Sequence, residues 1–414
     1  MKHNNIFLMI ISIYTLILLR LIYVEYKKKN NILLGNDRSM ISDDFKGYFL
    51  LNYFFNKDLD DDYYNNIYNK IFKFMNSNPK DILFLKVKEN SYIYEYRDLK
   101  TNKSKHNLLK KILVKDKISE KWGDWNMEDI PIKIFIHKNK LSITGSHAYI
   151  DGYTLMNKYF IKFICPDTNK IKINLLKFKY NPLLCEFYVL KSFYNSIKMN
   201  YRNLDLIKWN KRKSMRSITC DISINIIKNK KLKYKNYKYS TILASIYLRL
   251  LFLSCKNKIK SLNILFIVAL KNKSSFNNFG FISFKVNKTD NLNKLIEDIE
   301  LGIKNNYDMI ETSYIYTNLI GLNNNLYDKI DCVFSFIPVS NGDLVCGSYK
   351  VVDCNLVFPY STAPIYIFSS SFSGYEHCTM NICSSDVDKN KLIDLLKEIS
   401  KKNSVKLSKD YIKK

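Results

Sequence analysis

A hexapeptide with the pattern H-x-x-x-D-G, from His147 to Gly152, lies between a strand-like segment and a helix-like segment. Residues 141–146 alternate apolar with small or polar side chains, which predicts a half-buried strand. Residues 153–164 carry apolar side chains at helical spacing, which predicts an amphipathic helix. The sequence therefore places His147 at the end of a strand, in the turn that leads into a helix.

These residue types suit a general base held in a shaped loop. An imidazole with a pKa of about 6.5 is largely neutral at cytosolic pH and can take a proton from a hydroxyl or an amine. Asp151 can anchor the loop, and Gly152 permits a tight turn. We therefore predict that His147 activates an acceptor for attack on a thioester carbonyl, and that Asp151 and Gly152 shape its loop.

The sequence from about residue 40 to 400 resembles the coenzyme A-dependent acyltransferase superfamily. This superfamily includes chloramphenicol acetyltransferase, peptide condensation domains and wax ester synthase/diacylglycerol acyltransferases, and the last group is the most similar. The motif carries the resemblance, together with these segments in the expected order: a helix at 63–79, strands at 82–87 and 92–96, a segment at 122–136, a helix at 239–253, a strand at 265–271, a glycine-containing turn at 278–281, and 340–342 and 371–375 near the end.

The resemblance implies an α/β protein of two chloramphenicol-acetyltransferase-like sandwich halves, which form a pseudo-dimer with a tunnel between them. It implies acyl-CoA as co-substrate, no permanently bound cofactor, and a hydroxyl or amine acceptor, with a lipid-like acceptor favoured. The candidates for substrate binding or for stabilising the oxyanion are Ser371, Ser373, Gly374, Asn278 and Gly280.

Three positions depart from the superfamily pattern. Ser146 replaces the first of two adjacent histidines found in many relatives. Lys271 stands where many relatives have an arginine that pairs with the motif aspartate, so we predict contact between Asp151 and Lys271. Phe281 follows Gly280 where an asparagine is frequent, so no role of that asparagine transfers to this chain.

Several alternatives remain open at this stage. The segment 371–375 also fits a simple turn between two C-terminal strands, at 365–370 and 378–383. His377 is the only other histidine kept as a catalytic candidate, and no metal site is expected, because the cysteines lack metal-ligand spacing. Beside acyl-CoA-dependent transfer, the chain fits a non-catalytic binding relative of the same fold or a condensation-type enzyme that uses a carrier-protein thioester.

Residues 6–26 form a nearly continuous apolar stretch that is long enough for one transmembrane helix. A cleavable signal peptide is the competing interpretation, but no small-x-small cleavage site follows the stretch. The three lysines at 27–29 predict that the large domain faces the cytosol. Nine cysteines without a disulfide framework also fit a reducing compartment.

A chain of 414 residues predicts more than one domain. We assign an N-terminal membrane anchor at 1–30, a first acyltransferase-like half carrying the motif at 36–195, and a second half at 215–414. The net charge of +28 would suit nucleic acid, but the basic residues are mostly scattered lysines. We therefore expect no nucleic-acid partner; a basic surface instead favours anionic lipids and the phosphates of acyl-CoA.

Overall fold

A computed structural model describes thirteen stretches of the chain: most positions between 11 and 30, then 48–88, 93–115, 132–146, 150–169, 175–177, 216–233, 236–256, 259–271, 279–310 with Ser313, 330–357, 363–400 and 405–407. His147 and Asn278 fall outside these residues, and so does the side chain of Lys271. The predictions that involve these three residues are therefore not tested by the coordinates.

The described positions between 11 and 29 are helical, and apolar side chains there are exposed, including Leu19 at 57% and Ile22 at 57%. Within the part of the chain that the structure describes, no helix combines the length and the apolar character needed to cross a bilayer. The membrane anchor at 1–30 stays a prediction from the sequence.

The described residues form these strands: β1 (Tyr48–Phe55), β2 (Leu85–Lys88), β3 (Ile93–Tyr96), β4 (Leu113–Lys115), β5 (Ile132–His137), β6 (Lys140–Ser146), β7 (Leu176–Lys177), β8 (Arg216–Ser223), β9 (Ser261–Lys271), β10 (Phe279–Asn287), β11 (Cys332–Pro338), β12 (Val345–Cys346), β13 (Tyr349–Val357), β14 (Ile365–Phe372), β15 (Tyr375–Ile382) and β16 (Lys406–Leu407). The predicted strands at 132–136, 141–146, 265–271 and 365–370 are confirmed within a few residues. The predicted strand at 82–87 begins instead as a short 3₁₀ helix at Ile82–Phe84.

The helices among the described residues are α1 (Asp61–Ser77), α2 (Asn102–Ile112), α3 (Gly152–Thr154, continued by Leu155–Ile164), α4 (Ile224–Lys233), α5 (Tyr239–Ser254), α6 (Leu292–Asn305) and α7 (Lys389–Ile399). The predicted helices at 63–79, 153–164 and 239–253 correspond to α1, α3 and α5. Asp60 caps α1, since its side chain accepts a hydrogen bond from the Tyr63 amide at 2.9 Å.

A six-stranded sheet has the strand order β12-β13-β1-β6-β5-β4. Four of these strands come from the first half of the chain, but β12 and β13 come from residues 345–357. Strand β13 pairs antiparallel with β1, placing Tyr53 opposite Cys354. The second half therefore completes the sheet of the first half.

A larger sheet has the order β10-β9-β11-β14-β15-β8-β16, and β7 also pairs with β9. Alternate side chains of its strands point to opposite faces, and each face contributes to a different hydrophobic core. In β14, Ile365 and Ile367 belong to a core with helices α4 to α7, whereas Tyr366 and Phe368 belong to a core shared with the first half. The two halves thus pack against each other across the second face of this sheet.

Helix α6 approaches β10 closely at Gly302. A methyl group at Gly302 would lie 2.3 Å from Cδ2 of Phe284. Because overpacking a core costs about 1–3 kcal/mol, we expect Gly302→Ala to lower the free energy of unfolding by about 1 kcal/mol or more, measured by urea titration. A Cβ on Gly342 would meet nothing within 4 Å, so Gly342→Ala should change stability by less than about 0.5 kcal/mol. Equal losses in the two variants would contradict this packing argument.

Candidate active site

The motif begins where a central strand ends. Strand β6 lies between β1 and β5, and its last residue, Ser146, pairs with Tyr48 of β1. The chain is next described at Ile150, which is fully buried. The described residues on either side of His147 therefore lie at the end of a central strand and in the core.

Asp151 caps the helix that follows the loop. Its Oδ1 accepts a hydrogen bond from the Thr154 amide at 2.7 Å, and its Oδ2 accepts one from the Thr154 hydroxyl at 3.1 Å. The Leu155 amide also donates to the Asp151 carbonyl at 2.9 Å. Asp151 is only 5% exposed. The carboxylate therefore caps the start of α3. Its predicted role in anchoring the loop of His147 stays a prediction, because residues 147–149 lie outside the described residues.

Gly152 brings the motif against the second half of the chain. A Cβ on Gly152 would lie 2.4 Å from Cδ1 of Ile337, which belongs to β11 in the eight-stranded sheet. The start of α3 therefore approaches the side chain of Ile337 closely, and a side chain at position 152 would require that methyl group to move. The motif loop thus ends at the contact between the two halves.

Most of helix α3 has π-helical hydrogen bonding. The Cys165 amide donates to the Phe160 carbonyl, five residues earlier, at 3.1 Å. The wider turn directs Phe160 onto Tyr53 of β1, with ring centroids 4.0 Å apart. Single-turn π-helical segments occur frequently at functional sites. Through this contact, the motif helix packs on the six-stranded sheet.

The predicted contact between Asp151 and Lys271 stays a prediction. The backbone of Lys271 ends β9, where Leu270 and Lys271 pair with Leu176 and Lys177 of β7. The Lys271 side chain lies outside the described residues, so no distance to Asp151 tests the contact. Asp151 has its own hydrogen bonds at the helix start.

Gly280 lies inside β10, so the prediction of a glycine-containing turn at 278–281 is wrong for its described part. A Cβ on Gly280 would lie 2.4 Å from the backbone oxygen of Ile310, which explains why glycine is required in this strand. The next residue, Phe281, is 3% exposed, and its amide donates to the Ser313 hydroxyl at 2.9 Å. Phe281 is thus a core residue.

The serine-rich segment near the end forms the hairpin between β14 and β15. Ser373 and Gly374 both have positive φ, at 51° and 78°, as a tight two-residue hairpin turn requires. The Ser373 amide donates to the Gly342 carbonyl at 2.8 Å. Ser371 shares its face of β14 with Ile367, away from the face that packs on the first half. The structure therefore gives this segment the turn role that the sequence left open.

Glu376, opposite Ser371 in this hairpin, is buried. It accepts hydrogen bonds from Ser369 at 2.6 Å and from Tyr239 at 2.8 Å. Burial raises the pKa of the Glu376 carboxyl above its usual value near 4.5. The folded state therefore binds a proton more readily than the unfolded state, and the contribution of Glu376 to stability falls as the pH rises above about 4.5.

Replacing Glu376 with glutamine should remove this dependence. Because glutamine stays neutral, we expect the stability of Glu376→Gln relative to the natural protein to increase as the pH rises above about 4.5. Urea unfolding at each pH measures the difference. Glu297→Gln, at an exposed position of α6, is the control and should show no such trend. Identical pH profiles for the two variants would refute the role of burial at Glu376.

His377 is also buried in this hairpin, at 1% exposure. Its Nδ1 lies 2.9 Å from Oδ1 of Asp221 and 3.9 Å from Oδ1 of Asp353. Sequence analysis missed the two aspartates, because they lie on β8 and β13 and are far from His377 along the chain. Strand pairing brings Asp221 opposite His377, and the packing of the two sheets brings Asp353 to them.

No protein-family model matches the sequence, and no curated protein matches it significantly. Solved structures do match. The TRI3 trichothecene 15-O-acetyltransferase of Fusarium sporotrichioides is similar over 89% of this chain and 95% of its own, with a TM-score of 0.60 at 10% identity. This chain therefore shares the fold of that acetyltransferase.

Two further solved structures share this fold. One is the starter condensation domain of rhizomide synthetase, solved as a mutant in complex with C8-CoA and Leu-SNAC. It is similar over 93% of this chain and 99% of its own, with a TM-score of 0.57 and 7% identity. Polyketide synthase associated protein 5 from Mycobacterium tuberculosis is similar over 89% of this chain and 98% of its own, with a TM-score of 0.57 and 9% identity. At these identities the similarity establishes the fold alone.

Proposed function

We propose that this protein transfers an acyl group from a thioester to a hydroxyl or amine acceptor, with His147 as the general base. The observation that carries the proposal is the position of the H-x-x-x-D-G motif. The motif lies between a central strand and a capped helix. At Gly152, the start of that helix lies close to the side chain of Ile337 in the other half. This placement occurs within a fold that acyltransferases and condensation domains share.

In the proposed reaction, neutral His147 takes the proton of the acceptor while its oxygen or nitrogen attacks the thioester carbonyl. The resulting tetrahedral oxyanion collapses, the carbon–sulfur bond breaks, and the imidazolium returns the proton to the departing thiolate. No covalent enzyme intermediate forms. The donor and the acceptor would reach His147 through a tunnel between the two halves.

Oxyanion stabilisation is assigned to backbone amides or to a hydroxyl of the second half. Ser371, Ser373, Gly374, Asn278 and Gly280 remain the sequence candidates. Among them, the Ser373 amide is already bound to the Gly342 carbonyl, so its backbone cannot also serve the oxyanion in this conformation. The Asn278 region, outside the described residues, is the stronger candidate.

Acyl-CoA is the proposed donor, because the rhizomide starter condensation domain, which shares the fold, was solved in complex with C8-CoA. The similarity to a condensation domain supports a second candidate, in which the acyl group arrives on a carrier-protein pantetheine arm. The proposed acceptor is lipid-like, because an N-terminal membrane anchor would hold the domain at a bilayer. We propose that this anchor is single-pass and leaves the large domain in the cytosol.

The test is thiol release from a panel of donors and acceptors. Full-length protein is incubated with acyl-CoAs of several lengths or with acyl-SNAC thioesters, and with an alcohol, an amine or diacylglycerol. Mass spectrometry detects the free thiol, so that the nine cysteines do not interfere. Acceptor-dependent release from acyl-CoA supports the proposal, and release from acyl-SNAC alone supports the carrier-dependent candidate. No release from folded protein would support a non-catalytic relative of the fold.

A further inference from the structure

Three side chains that the proposed function does not use converge between the two sheets. One ligand atom from each of Asp221, Asp353 and His377 lies within 4.8 Å of the other two. Asp221 and His377 face each other on β8 and β15 of the eight-stranded sheet. Asp353 lies on β13, which belongs to the six-stranded sheet. The cluster therefore spans both halves of the fold.

The distances suit a small divalent cation. Zinc binds nitrogen and carboxylate oxygen at about 2.0–2.2 Å, which places tetrahedral ligand atoms about 3.3 Å apart. His377 Nδ1 lies 2.9 Å from Asp221 and 3.9 Å from Asp353, so the observed separations bracket that value. Small side-chain rotations would equalise them. One imidazole and two carboxylates form a ligand set typical of zinc and similar divalent metals.

The charge at the cluster also favours a cation. Two carboxylates, from Asp221 and Asp353, lie close together beside the buried imidazole of His377. Lys406 Nζ is 3.6 Å from Oδ2 of Asp353, and that lysine is largely exposed. A divalent cation between the two carboxylates would balance the charge of both.

The second nitrogen of the His377 ring, Nε2, provides a separate observation about the cluster. Nε2 of His377 and Oγ of Ser370 are both buried, and neither has a hydrogen-bond partner among the described residues. Ser370 lies directly opposite His377 in the pairing of β14 with β15, so the two side chains share one face. Phe372 stacks on the His377 ring at 3.8 Å and fixes its plane.

Coordination of a metal at Nδ1 would place the ring proton on Nε2, and metal-bound histidines nearly always donate that proton to a neighbouring acceptor. In the structure Nε2 makes no hydrogen bond with Ser370 Oγ. Ser370 lies directly opposite His377, so its hydroxyl is the candidate to accept that proton when a metal is bound. We propose that Asp221, Asp353 and His377 bind one Zn²⁺-like divalent cation, which ties β13 of one sheet to β8 and β15 of the other, with Ser370 orienting the histidine.

The test uses tag-free full-length protein that has been stripped with a chelator. Isothermal titration with ZnCl₂ should show one site for the natural protein, and Zn²⁺ should raise its thermal midpoint, because a ligand that binds only the folded state stabilises it. Asp353→Asn and Asp221→Asn should lose both effects. Ser370→Ala, a positioning variant, should weaken binding about 10- to 100-fold. Asp394→Asn, an exposed acid on α7, is the matched control and should bind like the natural protein.

Cobalt distinguishes this site from adventitious binding by the cysteines. Co²⁺ at a site of nitrogen and oxygen ligands gives visible bands without a thiolate charge-transfer band, since sulfur is absent from the cluster. Zinc affinity that is unchanged in both aspartate variants, no zinc binding by the natural protein, or a thiolate band with Co²⁺ would overturn the proposal. Circular dichroism of each variant ensures that only folded proteins are compared.

Discussion

Replacing His147 with alanine is expected to lower the rate of acyl transfer about 10²- to 10⁴-fold, which is the usual contribution of a general base. The acceptor hydroxyl or amine would then have to lose its proton without an imidazole beside it. Acceptor-dependent thiol release, followed with the best donor from the panel, measures the effect. The Michaelis constant for the donor should change little, because the imidazole acts on the acceptor.

A surface histidine provides the control for this variant. His106 is exposed on α2, where its ring stacks on Phe72, and it lies in no part of the motif. His106→Ala should therefore retain the full rate. A His147→Ala protein that is folded and retains the natural rate would refute the assignment of the base.

Replacing Phe160 with alanine is expected to give the largest loss of stability. Phe160 is fully buried, belongs to the π-helical part of α3, and stacks on Tyr53. Truncating a buried phenylalanine typically costs about 3–5 kcal/mol, through lost apolar burial and the cavity that remains. Urea unfolding should show a loss of this size. Because the same residue seats the motif helix on β1, acyl transfer should also fall.

A smaller substitution at Phe160 and a substitution at an exposed leucine distinguish loss of packing from a general effect of mutation on stability. Phe160→Leu fills most of the space and should cost clearly less than Phe160→Ala. Leu301 is 56% exposed on α6, so Leu301→Ala should change stability by about 0.5 kcal/mol or less. Losses of the same size for Phe160→Ala and Leu301→Ala would contradict the packing of α3 on the six-stranded sheet.

The spacing of apolar residues predicted the strand and the helix on either side of the motif. The alternation at 141–146 and the helical spacing at 153–164 both correspond to observed elements, β6 and α3. Residue spacing could not show that α3 is largely π-helical. The apolar positions of a π-helix resemble those of an α-helix over ten residues, and the difference lies in which carbonyl the Cys165 amide reaches.

Long-range pairing was beyond prediction from one sequence. The assigned halves, 36–195 and 215–414, give no sign that β13 leaves the second half to pair with β1. Gly280 was assigned to a turn by the resemblance to the acyltransferase superfamily. The structure shows that it is needed in a strand, where Ile310 approaches the backbone. The cluster at Asp221, Asp353 and His377 was missed for a similar reason, since strand register and the packing of the two sheets bring these residues together.

The most direct test of the central claim is the balance of products made by the full-length protein. The protein is given an acyl-CoA and a hydroxyl or amine acceptor, and mass spectrometry quantifies free CoA and acylated acceptor over time. The account predicts that the two products form in equal amounts and that both depend on His147. CoA release without acylated acceptor would indicate hydrolysis. Hydrolysis alone, or formation of neither product from any thioester donor, would contradict the assignment of acyl transfer to this fold.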